Sequence, residues 1–201
     1  MKQAGEWFVP DIMGGPARYL AGWAEIAPHT TKIPHRRSVV QAGGHVGVFP
    51  HALSCSFKRV YTFEPDAENF RCLVRNATSD NVFAHRAALG ANNGCKKLTV
   101  QPRNTGGHQM TQEVGATPTY RVDDIGLTDC DLLMLDLEGY EFFALLGATA
   151  TIMRCRPLVV VEQNKKSRGQ GFQPGAIELL MNSLDYRQRA AVGENLIFEA
   201  V

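Results

Sequence analysis

Apolar and polar residues alternate in blocks along this chain, and the blocks change period. Short apolar runs of strand length recur at Val39–Gln41, Arg59–Phe63, Asn81–His85, Leu132–Asp136 and Leu158–Glu162. Between them lie segments with helical spacing, such as Pro65 to about Asn76, where Phe70, Leu73 and Val74 share the buried side. Further helices are predicted over about Val46–Ser56, Glu141–Met153 with a break at Gly147, and Ala176–Leu184, and a last strand over Leu196–Ala200. The segment Gly90–Thr119 is rich in turns, with candidate strands at Lys97–Val100 and just beyond it at Tyr120–Val122. Gly169–Gly171 reads as a flexible loop. Strand–helix alternation of this kind predicts an α/β fold with a mostly parallel sheet and helices on both faces. Leu132–Asp136 is apolar nearly throughout, as in a strand covered on both sides.

The first residues follow another pattern. Trp7–Asp11 is extended, Gly14-Gly15-Pro16 breaks the chain, and a helix from Ala17 to Ala27 is expected to stop at Pro28. Residues 1–37 therefore read as an N-terminal helical extension, either a lid or a plain cover over a sheet edge, before a main domain over 38–201.

With 201 residues, 44% hydrophobic and 20% charged, the chain suits one globular domain with a short extension. A formal net charge of +1 and the lack of a Lys/Arg run of note disfavour nucleic acid as a partner. Five widely spaced cysteines without a CxxC pair point to a reducing compartment rather than a disulfide framework or zinc site. No apolar stretch reaches membrane-span length and no long apolar leader is present, so a cytoplasmic protein is the default expectation.

The chemistry concentrates where strands end. Val39–Gln41 runs into Ala42-Gly43-Gly44-His45-Val46-Gly47, and the next strand ends in Glu64-Pro65. A glycine turn lets backbone approach a ligand, and one carboxylate about twenty residues on can accept both hydroxyls of a ribose. The glycines do not form GxGxxG and no Walker lysine follows, which argues against a nicotinamide oxidoreductase and against ATP. S-adenosylmethionine fits better: Glu64 holds the ribose, the turn Gln41–Gly47 the methionine portion, and Ala87-Ala88-Leu89 borders adenine.

Together with Phe63-Glu64-Pro65, Asn69, Asn76, Asp123-Asp124, Asp136-Leu137-Glu138-Gly139-Tyr140-Glu141, Gly147-Ala148, Arg156-Pro157 and Glu162, this turn resembles the FkbM family of S-adenosylmethionine-dependent methyltransferases over about residues 38–163. The resemblance implies a Rossmann-like class I methyltransferase fold and transfer to a hydroxyl oxygen, with carbohydrate or a secondary metabolite as acceptor class. It implies that Gly43, Gly47 and Glu64 hold the cofactor, with Asp136 beside the methyl group. Two positions depart from the family pattern. Gln41 replaces an acid, which removes charge assistance at the ammonium and leaves a catalytically inactive binding module as the alternative function. Met134 stands where a lysine is usual, either altering substrate choice or serving as core.

The expected cofactor contacts are thus Gln41, Ala42, Gly43, Gly44, His45, Gly47, Glu64, Pro65, Ala88 and Asp136. Asp136 is the candidate base or acceptor-positioning residue, and Glu138 joins it as a second carboxylate. Glu141 reads as a helix cap. His108, in a glycine-flanked loop, is a candidate acid or base, with a solvated loop histidine as the competing reading. His45 either bonds the cofactor or caps the next helix. Arg103 and the run Lys165-Lys166-Ser167-Arg168 either attract an anionic acceptor or are simply solvated. No metal is expected, and the acceptor and oligomeric state stay open.

Overall fold

The computed structural model describes residues 1–164, 170 and 173–201. The basic run 165–168 and the glycines of the expected 169–171 loop lie outside the described residues. A hairpin of β1 (Lys2–Ala4) and β2 (Trp7–Val9) leads into α1 (Ala17–Thr30). Then come β3 (Ser38–Ala42), α2 (Val48–Ser54), β4 (Arg59–Phe63), α3 (Ala67–Asn76) and β5 (Val82–His85). An inserted region holds β6 (Ala88–Leu89), β7 (Gly94–Thr99), β8 (Gln109–Val114) and β9 (Thr117–Tyr120). The chain continues through β10 (Leu132–Leu135), α4 (Glu141–Leu146), α5 (Thr149–Cys155), β11 (Leu158–Glu162), α6 (Ala176–Ser183), β12 (Tyr186–Val192) and β13 (Asn195–Ala200).

The main sheet has seven strands in the order β12-β13-β11-β10-β3-β4-β5. Every neighbouring pair from β11 to β5 is parallel, and β13 runs antiparallel to both of its neighbours. Side-chain alternation builds two cores. Val39, Leu132, Met134 and Val160 pack with Ile26 of α1 and Leu53 of α2, whereas Val40, Ala42, Leu133, Leu135, Val159 and Val161 pack with Leu145, Ile152 and Met181 from α4–α6. Burying each Val, Leu, Ile or Met side chain among them stabilises the fold by about 1.5–3 kcal/mol. Met134 is 1% exposed and belongs to the first of these cores.

Strand order reverses between β3 and β10, because the chain builds outward from β3 to β5 and then returns to the other side of β3. The carboxyl ends of β3 and β10 therefore open a crevice, the usual ligand position in such sheets. The break at Gly147 falls where expected, between α4 and α5.

Other local expectations need correction. Helix α1 continues through Pro28 to Thr30. Proline removes one donor only, and the loss falls near the end of the helix. There the Thr30 hydroxyl donates to Ala27 O (2.9 Å) and the Thr31 hydroxyl to Pro28 O (2.7 Å). The turn-rich segment forms a second, four-stranded sheet, β6-β9-β7-β8. The strand expected at Tyr120–Val122 ends at Tyr120, and Val122–Asp124 is a 3-10 turn. That turn aims the Asp123 carboxylate at the start of α5, where it accepts from Ala150 N (3.2 Å) and Thr151 N (2.7 Å). Strand β12 has no clear sequence signal because it is an edge strand carrying Arg187, Gln188 and Arg189, with a bulge that blurs its alternation. Among the described residues no helix is long and apolar enough to cross a membrane.

Candidate active site

The turn after β3 is held down by its own backbone. Gly43 N and Gly44 N both donate to Phe63 O, at 3.1 and 2.9 Å. Gly43 has φ +84°, and a Cβ there would overlap the carbonyl oxygen of Asp136. The turn is thereby wedged between the ends of β4 and β10, and glycine is what the space admits.

Gln41 lies behind this turn and is fully buried. Its Nε2 donates to Gly43 O (3.0 Å), and its Oε1 accepts from the Thr62 hydroxyl (2.6 Å). A carboxylate could not make the first bond. The glutamine therefore braces the turn from behind and does not line the cavity in front of it. Replacing Gln41 by alanine strands two buried groups, so unfolding free energy should fall by about 2–3 kcal/mol, measurable by urea denaturation.

Glu64 follows β4 and is 5% exposed. Its two oxygens accept from His45 N (2.8 Å) and Asp66 N (2.9 Å). Burial outweighs these bonds and pushes the Glu64 carboxyl up to about 7. Asp66 caps α3, accepting from Glu68 N and Asn69 N. The same end of the site holds two buried atoms without a protein partner, His45 Nδ1 and Asn69 Oδ1. Burial lowers the His45 pKa to about 3, so its ring is neutral.

A strap from the inserted region crosses this end. Thr105 Oγ1 lies 2.9 Å from His45 Nε2, and Thr105 O accepts from Asn69 Nδ2 (2.8 Å). Tyr19 of α1 packs against the His45 ring at 4.3 Å between centroids, and its hydroxyl leaves no room for a side chain at position 106. His108 belongs to the strap. Its Nδ1 accepts from Gln101 N (3.0 Å), and its Nε2 lies 3.9 Å from Asp66. Burial lowers its pKa, so the neutral ring carries its proton on Nε2, toward Asp66. These contacts tie His108 to the strap and to the start of α3.

The opposite end is acidic. Asp136 follows β10, with its backbone N donating to Ala42 O (3.0 Å). Glu138 has φ +55° and also lines the cavity. Glu141 turns inward instead, accepting from Leu137 N (2.7 Å) and Gly139 N (3.1 Å) through Oε1. It closes the loop at the start of α4, and burial raises its pKa to about 7. At the end of β11, Glu162 also lines the cavity; burial and then the charges of Asp136, Glu138 and Glu141 hold its carboxyl well above the usual carboxylate range. Among the described residues no three His, Cys, Asp or Glu side chains group to hold a metal ion.

One cavity of about 290 Å³ joins both ends. Of the expected residues, Gly43, Gly44, His45, Glu64, Pro65, Ala88, His108, Asp136 and Glu138 line it, while Gln41, Ala42 and Gly47 do not. Ala42 is fully buried in the sheet, and Gly47 starts α2 with φ +92°. Arg18, Tyr19, Asn69, Thr105 and Glu162 line it as well, though none was counted as a site residue from sequence. Glu162 carried a signal, a carboxylate ending an apolar strand. Tyr19 carried none, since only packing of α1 over the sheet brings it here.

The family described as Methyltransferase FkbM domain matches residues 41–188, which contain both ends of this cavity. The chain belongs to the FkbM methyltransferase family. That places it in an S-adenosylmethionine-dependent class, as the turn and Glu64 led one to expect. No curated protein matches the chain. Among solved structures, the methyltransferase FkbM from Methylobacillus flagellatus KT is similar at 20% identity and a TM-score of 0.54, covering 82% of this chain. This FkbM chain spans 43% of that protein's length. Precorrin 8w decarboxylase from Methanobacterium thermoautotrophicum is similar over 100% of both chains at 14% identity and a TM-score of 0.55. Magnesium protoporphyrin IX methyltransferase from Synechocystis PCC 6803, solved with bound S-adenosylmethionine, aligns over 92% of this chain and 79% of its own at 11% identity and a TM-score of 0.52. At such identities these structures show the class I methyltransferase fold.

Proposed function

We propose that this FkbM domain transfers a methyl group from S-adenosylmethionine to a hydroxyl oxygen of a small acceptor, of the carbohydrate or secondary-metabolite class. The observation that carries the reading is one cavity with Glu64 at one end and Asp136 at the other, with Gly43 and Gly44 lining it between them. The residues present fit the cofactor. Glu64 can accept from ribose hydroxyls while its bonds from His45 N and Asp66 N hold it still. The unpartnered His45 Nδ1 and Asn69 Oδ1 supply further polar contacts beside it.

When bound, the cofactor supplies an electrophilic methyl group on a sulfonium. The protein's share is alignment, exclusion of water and acceptance of a proton. The strap through Thr105 and the Tyr19 ring cover the ribose end. Asp136 would orient the acceptor hydroxyl and take its proton, with Glu138 on the acceptor side. His108, tied to its own strap and to Asp66, is assigned to holding the strap closed.

Calorimetric titration with S-adenosylmethionine and S-adenosylhomocysteine tests the reading. Saturable binding of both is expected, followed by transfer of labelled methyl to hydroxylated acceptors in a sugar panel. A protein with no affinity for either compound would refute the cofactor assignment. Binding without transfer to any acceptor would favour the inactive module that Gln41 first raised.

A further inference from the structure

Beside Glu64 the cavity is lined by two side chains that are each half satisfied. Asn69 is 2% exposed and His45 8%, and both line the cavity. Each spends one polar atom on the same residue of the strap. Asn69 Nδ2 donates to Thr105 O (2.8 Å), and His45 Nε2 lies 2.9 Å from Thr105 Oγ1. The other atom of each, Asn69 Oδ1 and His45 Nδ1, is buried with no partner among the described residues. A carbonyl oxygen only accepts, so the amide nitrogen must be the atom facing Thr105 O. Asn69 Oδ1 is thereby fixed as an acceptor in need of a donor. Buried polar atoms left unpaired are costly, and two of them at one spot in a cavity mark a place for a ligand group.

We propose, on the S-adenosylmethionine reading above, that His45 and Asn69 together bind one ribose hydroxyl of the cofactor while Thr105 holds both from behind, so that the ribose fastens the strap. Glu64 takes the other hydroxyl. The bonds close a ring. The Thr105 hydroxyl donates to His45 Nε2, and His45 Nδ1–H donates to the ribose oxygen. That hydroxyl donates to Asn69 Oδ1, and Asn69 Nδ2 donates to Thr105 O. His45 and Asn69 are specificity-determining residues that touch the cofactor; Thr105 is a positioning residue that acts through them.

Local connections put this ring at the ribose. His45 N donates to one oxygen of Glu64 (2.8 Å) and Asp66 N to the other (2.9 Å), while Asp66 accepts from Asn69 N (2.9 Å). Both side chains therefore start within two hydrogen bonds of the carboxylate. Each carboxylate oxygen can accept a second bond, so Glu64 still has room for a hydroxyl. A hydroxyl also suits the two unpaired atoms, because it accepts and donates at once. The neutral His45 ring has one nitrogen that gives and one that takes. The Thr105 hydroxyl rotates to offer its proton to Nε2, which leaves the ring proton on Nδ1. With the opposite tautomer both unpaired atoms would accept and would call for an amine; the shared link to Glu64 favours the hydroxyl. The strap depends on this pair. Residues 101–108 are bonded largely to themselves, through Gly107 N to Asn104 O (3.0 Å), Gly106 N to Asn104 Oδ1 (3.3 Å) and Gln101 N to His108 Nδ1 (3.0 Å). Among the described residues, their hydrogen bonds to the rest of the protein run through Thr105. A group that fixes His45 and Asn69 in place fixes the strap as well.

Calorimetry with S-adenosylhomocysteine and its 2′-deoxy and 3′-deoxy analogues tests this without a known acceptor. In the wild-type protein, loss of either hydroxyl should weaken binding by roughly 5–50-fold, since each leaves buried groups unpaired. Asn69→Ala should weaken S-adenosylhomocysteine by a similar factor. It should also erase the penalty of one deoxy analogue and keep that of the other, which belongs to Glu64. Thr105→Val removes only the strap's hydroxyl, and it should shrink the penalty of the same analogue. General loosening of the fold would not select one hydroxyl over the other. Hydrogen exchange at the Gly107 amide should slow when S-adenosylhomocysteine binds and slow less with that analogue. Deoxy penalties unchanged in both variants would overturn the proposal. So would an Asn69→Ala effect that vanishes instead with the inosine analogue, because the pair would then read the base amine. If S-adenosylhomocysteine does not bind the wild type, the cofactor reading itself falls, a distinct result. Should Asn69→Ala fail to fold, Thr105→Val and the exchange measurement still decide: an unchanged penalty together with unslowed exchange overturns the ring.

Discussion

Gly43→Ala is expected to remove detectable S-adenosylmethionine binding, a loss of more than ~100-fold, and to lower the melting temperature. Two costs combine. The residue sits at φ +84°, where a side chain costs roughly 1–2 kcal/mol. The new Cβ also overlaps the Asp136 carbonyl, so the end of β10 must move away from the turn. Backbone cannot rotate aside as a flexible side chain can, and the displacement falls on the residue assigned to the acceptor. Gly175→Ala separates the two effects. Its φ is +85°, yet nothing lies within 4 Å of its Cβ position. That variant should show the conformational cost alone, with cofactor affinity intact. Calorimetry and thermal unfolding of both variants check the contrast. Wild-type affinity in Gly43→Ala would remove the turn from the site.

Glu64→Ala should weaken S-adenosylmethionine binding by about 1–3 kcal/mol, the scale of hydrogen bonds to a charged group, or roughly 5–150-fold. The effect should depend on pH. Burial lifts the Glu64 carboxyl to about 7, and ribose hydroxyls donate best to the ionised form. Wild-type affinity should therefore climb as pH rises toward 7 and level off above it, and Glu64→Ala should lose that climb. Stability of the free protein runs the other way. A carboxyl whose pKa is raised by folding contributes stability that is complete below its ordinary value and is lost as pH rises through 7. Chemical denaturation without ligand should show this contribution declining between about pH 4.5 and 7. Affinity for the cofactor that does not change with pH or with the substitution would exclude Glu64.

Much of the Glu64 end of the cavity was legible in the chain because it is local. The turn at 43–47 and Glu64 sit one β-α-β unit apart, so their spacing alone nearly sets their geometry. The Asp136 end was half legible. Asp136 and Glu162 are visible as acids ending apolar runs, but their placement in one cavity depends on β10 and β11 being parallel neighbours in a given register. Gln41 was misplaced for a related reason. The first motif pointed to the ligand side, but alternation along β3 and the Thr62 hydroxyl turn this side chain behind the glycines. Met134 read correctly as core in one of its two readings, because a fully apolar run leaves little else for it. The second sheet was largely missed, since β8 and β9 are short, polar and joined by turns, and propensity alone cannot pair them.

What the chain determined unaided is the period of its apolar residues, the positions that only glycine can occupy, and the acids that close its strands. These depend on neighbours a few residues apart, which covalent geometry keeps close in any conformation. Tertiary structure decided which distant groups meet: Tyr19 and Thr105 over His45, Asp136 and Glu162 in one cavity, His108 beside Asp66. Those encounters arise from burying both faces of one twisted sheet, a choice made by the whole chain's packing and written in no single stretch of it.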